Sequence, residues 1–497
     1  MNKVWTMILL GGCLLLLAAP GCEAPPSEGE LLARSYCGSC HLVPSPQDLP
    51  QQIWATDILP LMAAMQGLYT YQPREFYLGK EAEDLAEVFP LDERIDSLTY
   101  AKIAEYYLEE APAQLPAGEQ QQLLNLVQFD VQRIARAAND NFPLLATRIG
   151  FSSPTGEIWV GGVAGPLGSL RRYDGEHKGL RLDTLPSPLV DYFATSQSAL
   201  TIGRLTPGDQ RRGAIVQVGD SDDEVPGAWQ KLRRPLALMP FAYRSDSSRS
   251  VVFAEHGHRR GALVAFGADL LPDTLAYGPG AQQLRLADMD GDGDDDLLVL
   301  FGQGAERISL FRGGTEGTRE EVLLRFPPSY GSVDFEVFDF DGDGDQDIIY
   351  ANGDNYDYLP VAKPYHGIRI FLNDEGAFTE RYFFPLDGAY GVEVDDFDGD
   401  GDTDLAAIAY FVPVQDRALR SFVYLEQVGE FEFTAAGFVK EPDEYYLTLA
   451  KGDTDYDGDQ DLLIGNFAGY LPDGMPAGQP SAGGETVYLF LENTQRE

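Results

Sequence analysis

Apolar residues along this chain fall into three successive patterns. Met7 to Ala19 form one unbroken run of thirteen, short of the roughly 20 residues a helix needs to cross a bilayer. Between about residues 31 and 113 the spacing turns helical. Leu31-Leu32-Ala33-Arg34-Ser35-Tyr36 predicts one helix, and Tyr100, Ile103 and Tyr107 share a face of another. Asp96-Ser97 offers that second helix a cap, and Ala111-Pro112 stops it. From about residue 126 the apolar positions come as short, partly β-branched runs bounded by Gly and Asn, which predict strands. Four of these runs follow acidic stretches: Leu297-Leu298-Val299-Leu300, Ile348-Ile349-Tyr350, and the runs opening at Leu405 and Leu462. Ser250 to Ala254, Gly213 to Gln217 and Glu157 to Gly161 align as fainter copies of the same strand. The pattern predicts a multidomain chain, a small all-α unit followed by an all-β array.

Charge narrows the functional classes. The 497 residues include 79 acidic and 36 basic ones, a formal charge of -43. Such a field repels phosphate backbones, which argues against a nucleic-acid partner. With 44% hydrophobic residues the chain can bury a sizeable core, and 53 glycines and 32 prolines supply the turns of an all-β array.

Much of the acidity is concentrated in four loops. They run Asp288, Asp290, Asp292, Asp294, Asp296; Asp339, Asp341, Asp343, Asp345, Asp347; Asp396, Asp398, Asp400, Asp402, Asp404; and Asp453, Asp455, Asp457, Asp459, Asp461. Carboxylates stand at loop positions 1, 3, 5 and 9, glycine at 6 permits a sharp turn, and position 7 can offer its carbonyl. That oxygen cage suits Ca²⁺, and about four ions are expected. An EF-hand would need glutamate at position 12, where Val299, Tyr350, Ala407 and Ile464 stand instead.

A calcium loop inside a repeated β-hairpin resembles the FG-GAP (VCBS-type) blade of integrin-like β-propellers. Loop starts lie 51, 57 and 57 residues apart, a propeller-like period. The resemblance implies seven blades over 126–497, about 53 residues each, with six and eight as alternatives. In the first three blades the loops have lost most carboxylates, so no calcium is expected there.

The opening residues resemble a bacterial lipoprotein signal. Lys3, the apolar run and Ala18-Ala19-Pro20-Gly21-Cys22 imply a signal peptide over 1–21, an acylated Cys22 and a tether over 22–30. The implied location is the cell envelope, periplasmic or outer-membrane facing, with a membrane contact through the lipid. Ordinary signal cleavage without a lipid is the alternative.

Cys37-Gly38-Ser39-Cys40-His41 has the spacing for covalent attachment of haem c. Two thiols reach the two vinyl groups, and the following histidine is held under the iron. A redox disulfide or half a zinc site would share the C-x-x-C. The adjacent histidine, the exported context and the absence of a second cysteine pair favour one haem. Residues 31–113 resemble a small class I-type cytochrome c, which implies a methionine as sixth ligand. Met62 and Met65 are the candidates. Ile58-Leu59-Pro60-Leu61-Met62 resembles the Leu-Pro-x-Met stretch of cytochrome domains fused to propellers, which favours Met62.

Residues 114–125 read as a linker. Beyond each calcium loop the later blades carry long connections, expected to gather on one face: 352–366, 411–420 and 468–485. Asn352, Asp354, Asn355, Tyr356, Tyr358, Lys363, Tyr365 and His366, with Arg417, Tyr470, Asp473 and Met475, are the residues there suited to a sugar, a peptide or the cytochrome unit. The expected function is electron transfer by the haem, with the propeller docking a redox partner or ligand. A haem-linked enzyme acting on a polysaccharide or small molecule, and an adhesive propeller with a redox-sensing haem, are the alternatives. No nucleophile triad, carboxylate pair outside the acidic loops or nucleotide-binding glycine motif favours the enzyme.

Overall fold

Ser27 starts the first helix by accepting the N–H of Glu30, so α1 covers Glu28–Tyr36. A computed structural model describes residues 25–39, 41–79, 81, 85–118, 121–136, 144–153, 155–164, 167–219, 225–243, 250–313, 318–354, 361–412, 417–467 and 486–494. Further along the helical unit lie α2 (Gln51–Ile53), which runs through a π turn into α3 (Leu59–Met65), then α4 (Arg74–Leu78) and α5 (Ser97–Glu110). Asp96 caps α5 by accepting from the N–H groups of Leu98 and Thr99, and Tyr100, Ile103 and Tyr107 face inward as their spacing predicts. Helices α1 and α5 touch at Gly29, where a Cβ would fall 2.5 Å from the Lys102 carbonyl oxygen. Only glycine lets the two backbones come this close. No helix among the described residues is long and apolar enough to cross a membrane.

Seven antiparallel blades follow. Blades one to six cover 144–185, 189–233, 235–277, 281–325, 332–385 and 389–437. Blade seven takes Tyr446–Gly452, Asp461–Asn466 and Thr486–Asn493 from the end of the chain and borrows its outer strand, Phe129–Ala135, from the beginning. Phe129 pairs with Asn493 and Val131 with Leu491, which closes the ring and covers an edge that an open array would expose. Leu124–Asn125, inside the stretch read as a linker, pairs in parallel with Ala436 and Gly437 of blade six.

In blades four to seven the second strand is Asp296–Phe301, Asp347–Asn352, Asp404–Ala409 and Asp461–Asn466, buried at each position. A middle strand is covered by the neighbouring blades on both faces, so it reads as a continuous apolar run without alternation. Leu298, Leu300, Ile308 and Leu310 of blade four thus pack on Phe335, Ile348 and Tyr350 of blade five. Each such side chain contributes about 1.5–3 kcal/mol by leaving water. Blade two corrects the strand alignment made from sequence. Gly213 to Gln217 lies in its third strand, Arg211–Gln217, and the second strand is the short Ser198–Thr201. Ile215 and Val216 give the third strand the stronger apolar signal, which drew the alignment to it.

Neighbouring strands in a blade are antiparallel. Connections from first to second strand therefore share one face of the disc. Those from second to third strand, and from each blade to the next, share the other.

Candidate functional site

The four acidic stretches are first-to-second-strand connections, so all four line one face. Their glycines at position 6 (Gly293, Gly344, Gly401 and Gly458) have φ of 92°, 101°, 98° and 105°, values that side chains rarely adopt. This turn aims the backbone back at position 1. The N–H groups of Gly293, Gly344 and Gly401 donate to Asp288, Asp339 and Asp396 at 2.9, 3.2 and 3.1 Å. Position 5 is fixed similarly, since Asp294, Asp345, Asp402 and Asp459 donate their N–H to Asp292, Asp343, Asp400 and Asp457.

Three carboxylates converge in each loop, with one oxygen apiece within 4.8 Å of the others. The sets are Asp288, Asp290 and Asp292; Asp339, Asp341 and Asp347; Asp396, Asp398 and Asp404; and Asp453, Asp455 and Asp457. Oδ1 of Asp339, Asp396 and Asp453 at position 1, and of Asp402 and Asp459 at position 7, is buried without a hydrogen-bond partner. Buried acceptors without donors are rare, and one in the blade-five loop with two each in the loops of blades six and seven suit a cation. Burial, then crowding by neighbouring aspartates, pushes Asp347 and Asp402 up to about 6 and Asp404 and Asp459 up to about 7.

The position-9 residues Asp296, Asp347, Asp404 and Asp461 are buried and open the second strand. Each also accepts a backbone N–H from the end of the third strand or just beyond it: Gly313, Asn373 and Gln427 at 2.8 Å, and Asn493 at 2.9 Å. Position 9 therefore anchors the loop to its blade, a role that spacing alone does not disclose.

In the helical unit, Cys37 caps the C-terminus of α1, donating its N–H to the Ala33 carbonyl at 2.8 Å. Cys22 and Cys40 lie outside the described residues. His41 follows closely, with Nδ1 at 2.7 Å from the Leu42 carbonyl oxygen. Met62 packs with Val43 on the cluster built by Ala33, Trp54, Leu59, Tyr100 and Tyr107. Met65 packs on a different one, with Leu78, Leu85 and Phe89.

The helical unit lies on the face opposite the acidic loops. Ser329 donates to the Asp48 carboxylate at 3.1 Å, and Tyr365 to the Asp48 carbonyl at 2.7 Å. Val361 packs on the helical core. A second contact joins Glu81, which accepts the Asp209 N–H at 2.8 Å, while Arg260 pairs with Glu87 and Arg259 covers the Phe89 ring. Among the loop residues singled out from sequence, Asn352, Lys363 and His366 are buried at 0%, 2% and 1% exposure, so they serve the interior. Asn352 donates to the Tyr330 and Tyr365 carbonyls, and Lys363 to the Ser329 carbonyl. Arg417 opens a short helical turn, Arg417–Arg420. Asn355, Tyr356, Tyr358, Tyr470, Asp473 and Met475 lie outside the described residues. Sequence reasoning missed Asp48 and Glu81, which looked like ordinary surface acids.

An FG-GAP-like repeat model matches residues 270–350, which hold the last strand of blade three, blade four and the start of blade five. No curated protein matches this chain. Solved structures with a likeness to this chain include a protein from Lactobacillus plantarum, at 9% identity and TM-score 0.40, covering 61% of this chain and 86% of its own. The WD40 domain of Toxoplasma gondii coronin matches at 10% identity and TM-score 0.38, over 77% of this chain and 90% of its own. Saccharomyces cerevisiae Sqt1 matches at 10% identity and TM-score 0.41, over 73% and 99%. The chain thus carries an FG-GAP-like repeat within a seven-bladed propeller.

Proposed function

We propose that the chain is an exported electron-transfer protein whose helical unit carries one covalent haem c and whose propeller, held by Ca²⁺, docks a redox partner or ligand. Cys22 would carry the lipid that keeps it at the cell envelope. The observation that carries the reading is the His41 side chain. With Nδ1 already turned to the Leu42 carbonyl, its other nitrogen, Nε2, is the one left to ligate iron. A ring hydrogen bond of this kind fixes the tautomer and orientation of a ligating histidine.

Bound haem would supply one-electron transfer at its iron. Cys37 and Cys40 would attach it covalently, and Met62 would offer a thioether to its iron. Met62 is favoured over Met65 because it shares a cluster with Val43, two residues beyond His41. Tyr107 donates to the Pro44 carbonyl at 2.9 Å and so holds the segment after His41 on the helical core. In the propeller, the orphaned oxygens of Asp339, Asp396 and Asp453 support the calcium reading.

Intact mass of the exported protein tests the covalent haem. One haem added per chain, lost in Cys37→Ala and Cys40→Ala, is the expected result. An unmodified mass from cells competent to mature c-type cytochromes would overturn it.

A further inference from the structure

Four loops of one sequence design should hold four ions, yet blade four is built differently from the other three. Arg312, the residue after its third strand (Arg307–Phe311), places Nη1 at 3.1 Å from Asp290 Oδ2 and 2.8 Å from Asp296 Oδ2. Those are positions 3 and 9 of the loop. The equivalent residue elsewhere precedes the N–H that binds the position-9 carboxylate: Leu372 in blade five, Glu426 in blade six and Glu492 in blade seven. Blade four alone has a cation there.

Position 1 differs as well. Asp288 has both oxygens occupied, Oδ1 by the N–H groups of Gly291 and Asp292 at 2.8 and 3.2 Å, and Oδ2 by Gly293 at 2.9 Å. Its counterparts Asp339, Asp396 and Asp453 each keep a buried Oδ1 with no partner. A Ca²⁺ ion needs six to eight oxygens. In blade four one ligand oxygen is saturated by backbone, and two carboxylates already face a guanidinium that stays charged at any working pH. We propose that Arg312 takes the place of the metal in blade four, so that the chain binds three Ca²⁺ ions, in blades five, six and seven. The inference rests on the calcium reading of those three blades.

Calcium counting on the full-length protein by calorimetric titration, after chelation and desalting, tests it. Wild type should bind three ions. Asp339→Asn, Asp396→Asn and Asp453→Asn should each lower the count by one, while Asp290→Asn leaves it unchanged. Arg312→Leu, which copies blade five, and Arg312→Glu, which copies blades six and seven, should raise it to four. Melting curves in calcium confirm that each variant is folded. A wild-type count of four, a loss in Asp290→Asn, or no gain in both folded Arg312 variants would overturn the substitution while leaving the calcium reading intact. No binding by wild type would overturn the calcium reading, and this inference with it.

Discussion

The Tyr365 hydroxyl donates to the backbone carbonyl of Asp48 at 2.7 Å, joining residues 317 positions apart. Asp48 ends a short segment that begins just after His41. From the helical side Tyr107 holds the Pro44 carbonyl and Trp54 the Pro46 carbonyl, both at 2.9 Å. From the propeller side Tyr365 and Ser329 hold Asp48. The segment that follows the proposed iron ligand is thus gripped from both the helical unit and the propeller.

Tyr365→Phe removes one of those grips. A single such hydrogen bond contributes about 1 kcal/mol, so local opening should become roughly fivefold more frequent. Hydrogen exchange of the full-length protein should show faster exchange of amides in 42–50, with the strands of blades one and seven unchanged. Unchanged exchange at 42–50 would mean that the propeller does not hold the segment.

Glu306 gives a pH dependence with a defined sign. It is 4% exposed and accepts from the N–H groups of Ser332 and Gly304, yet burial raises its carboxyl from 4.5 to about 7. The folded chain holds this proton more tightly than the unfolded chain. Its contribution to stability therefore falls as pH rises through the window from 4.5 to about 7. Glu306→Gln keeps an acceptor there and does not titrate. Relative to wild type it should gain about 1–3 kcal/mol between the two ends of that window. Parallel stability curves for the two proteins would contradict this.

Chelation should destabilise the propeller. Each site held at a hundredfold above its dissociation constant contributes about 2.7 kcal/mol, provided the unfolded chain does not bind. Removing calcium should therefore lower the melting temperature by several degrees. Added calcium should restore it, and magnesium should not, because Mg²⁺ demands a tighter octahedron and sheds water reluctantly. An unchanged melting temperature would leave the acidic loops without a structural ion.

Legibility in the sequence followed the range of the forces involved. The second strands at Asp296–Phe301 and Asp347–Asn352 stand out because burial on both faces writes an unbroken apolar run. Helix α5 stands out because Asp96 and Pro112 mark its ends chemically. A closed ring was expected, but the strand that closes it was hidden, since the pairing of Phe129 with Asn493 leaves no local trace in either strand. Arg312 was hidden for a similar reason: it lies 16 residues beyond Asp296, just past the end of the following strand. The second strand of blade two was misplaced because Ser-Ala-Leu-Thr is short and weakly apolar. Asp48 and Glu81 gave no sign, because an acid that meets another domain looks in sequence like one that meets water.

A reduced-minus-oxidised absorption spectrum of the purified full-length protein, taken with and without carbon monoxide, bears most directly on the electron-carrier proposal. Iron closed by His41 and Met62 should give a sharp low-spin spectrum that carbon monoxide leaves unchanged. A spectrum shifted by carbon monoxide would mean an open iron position, and would replace the carrier with a catalyst or a gas sensor. A protein with no haem band in either state would remove the haem from the account altogether.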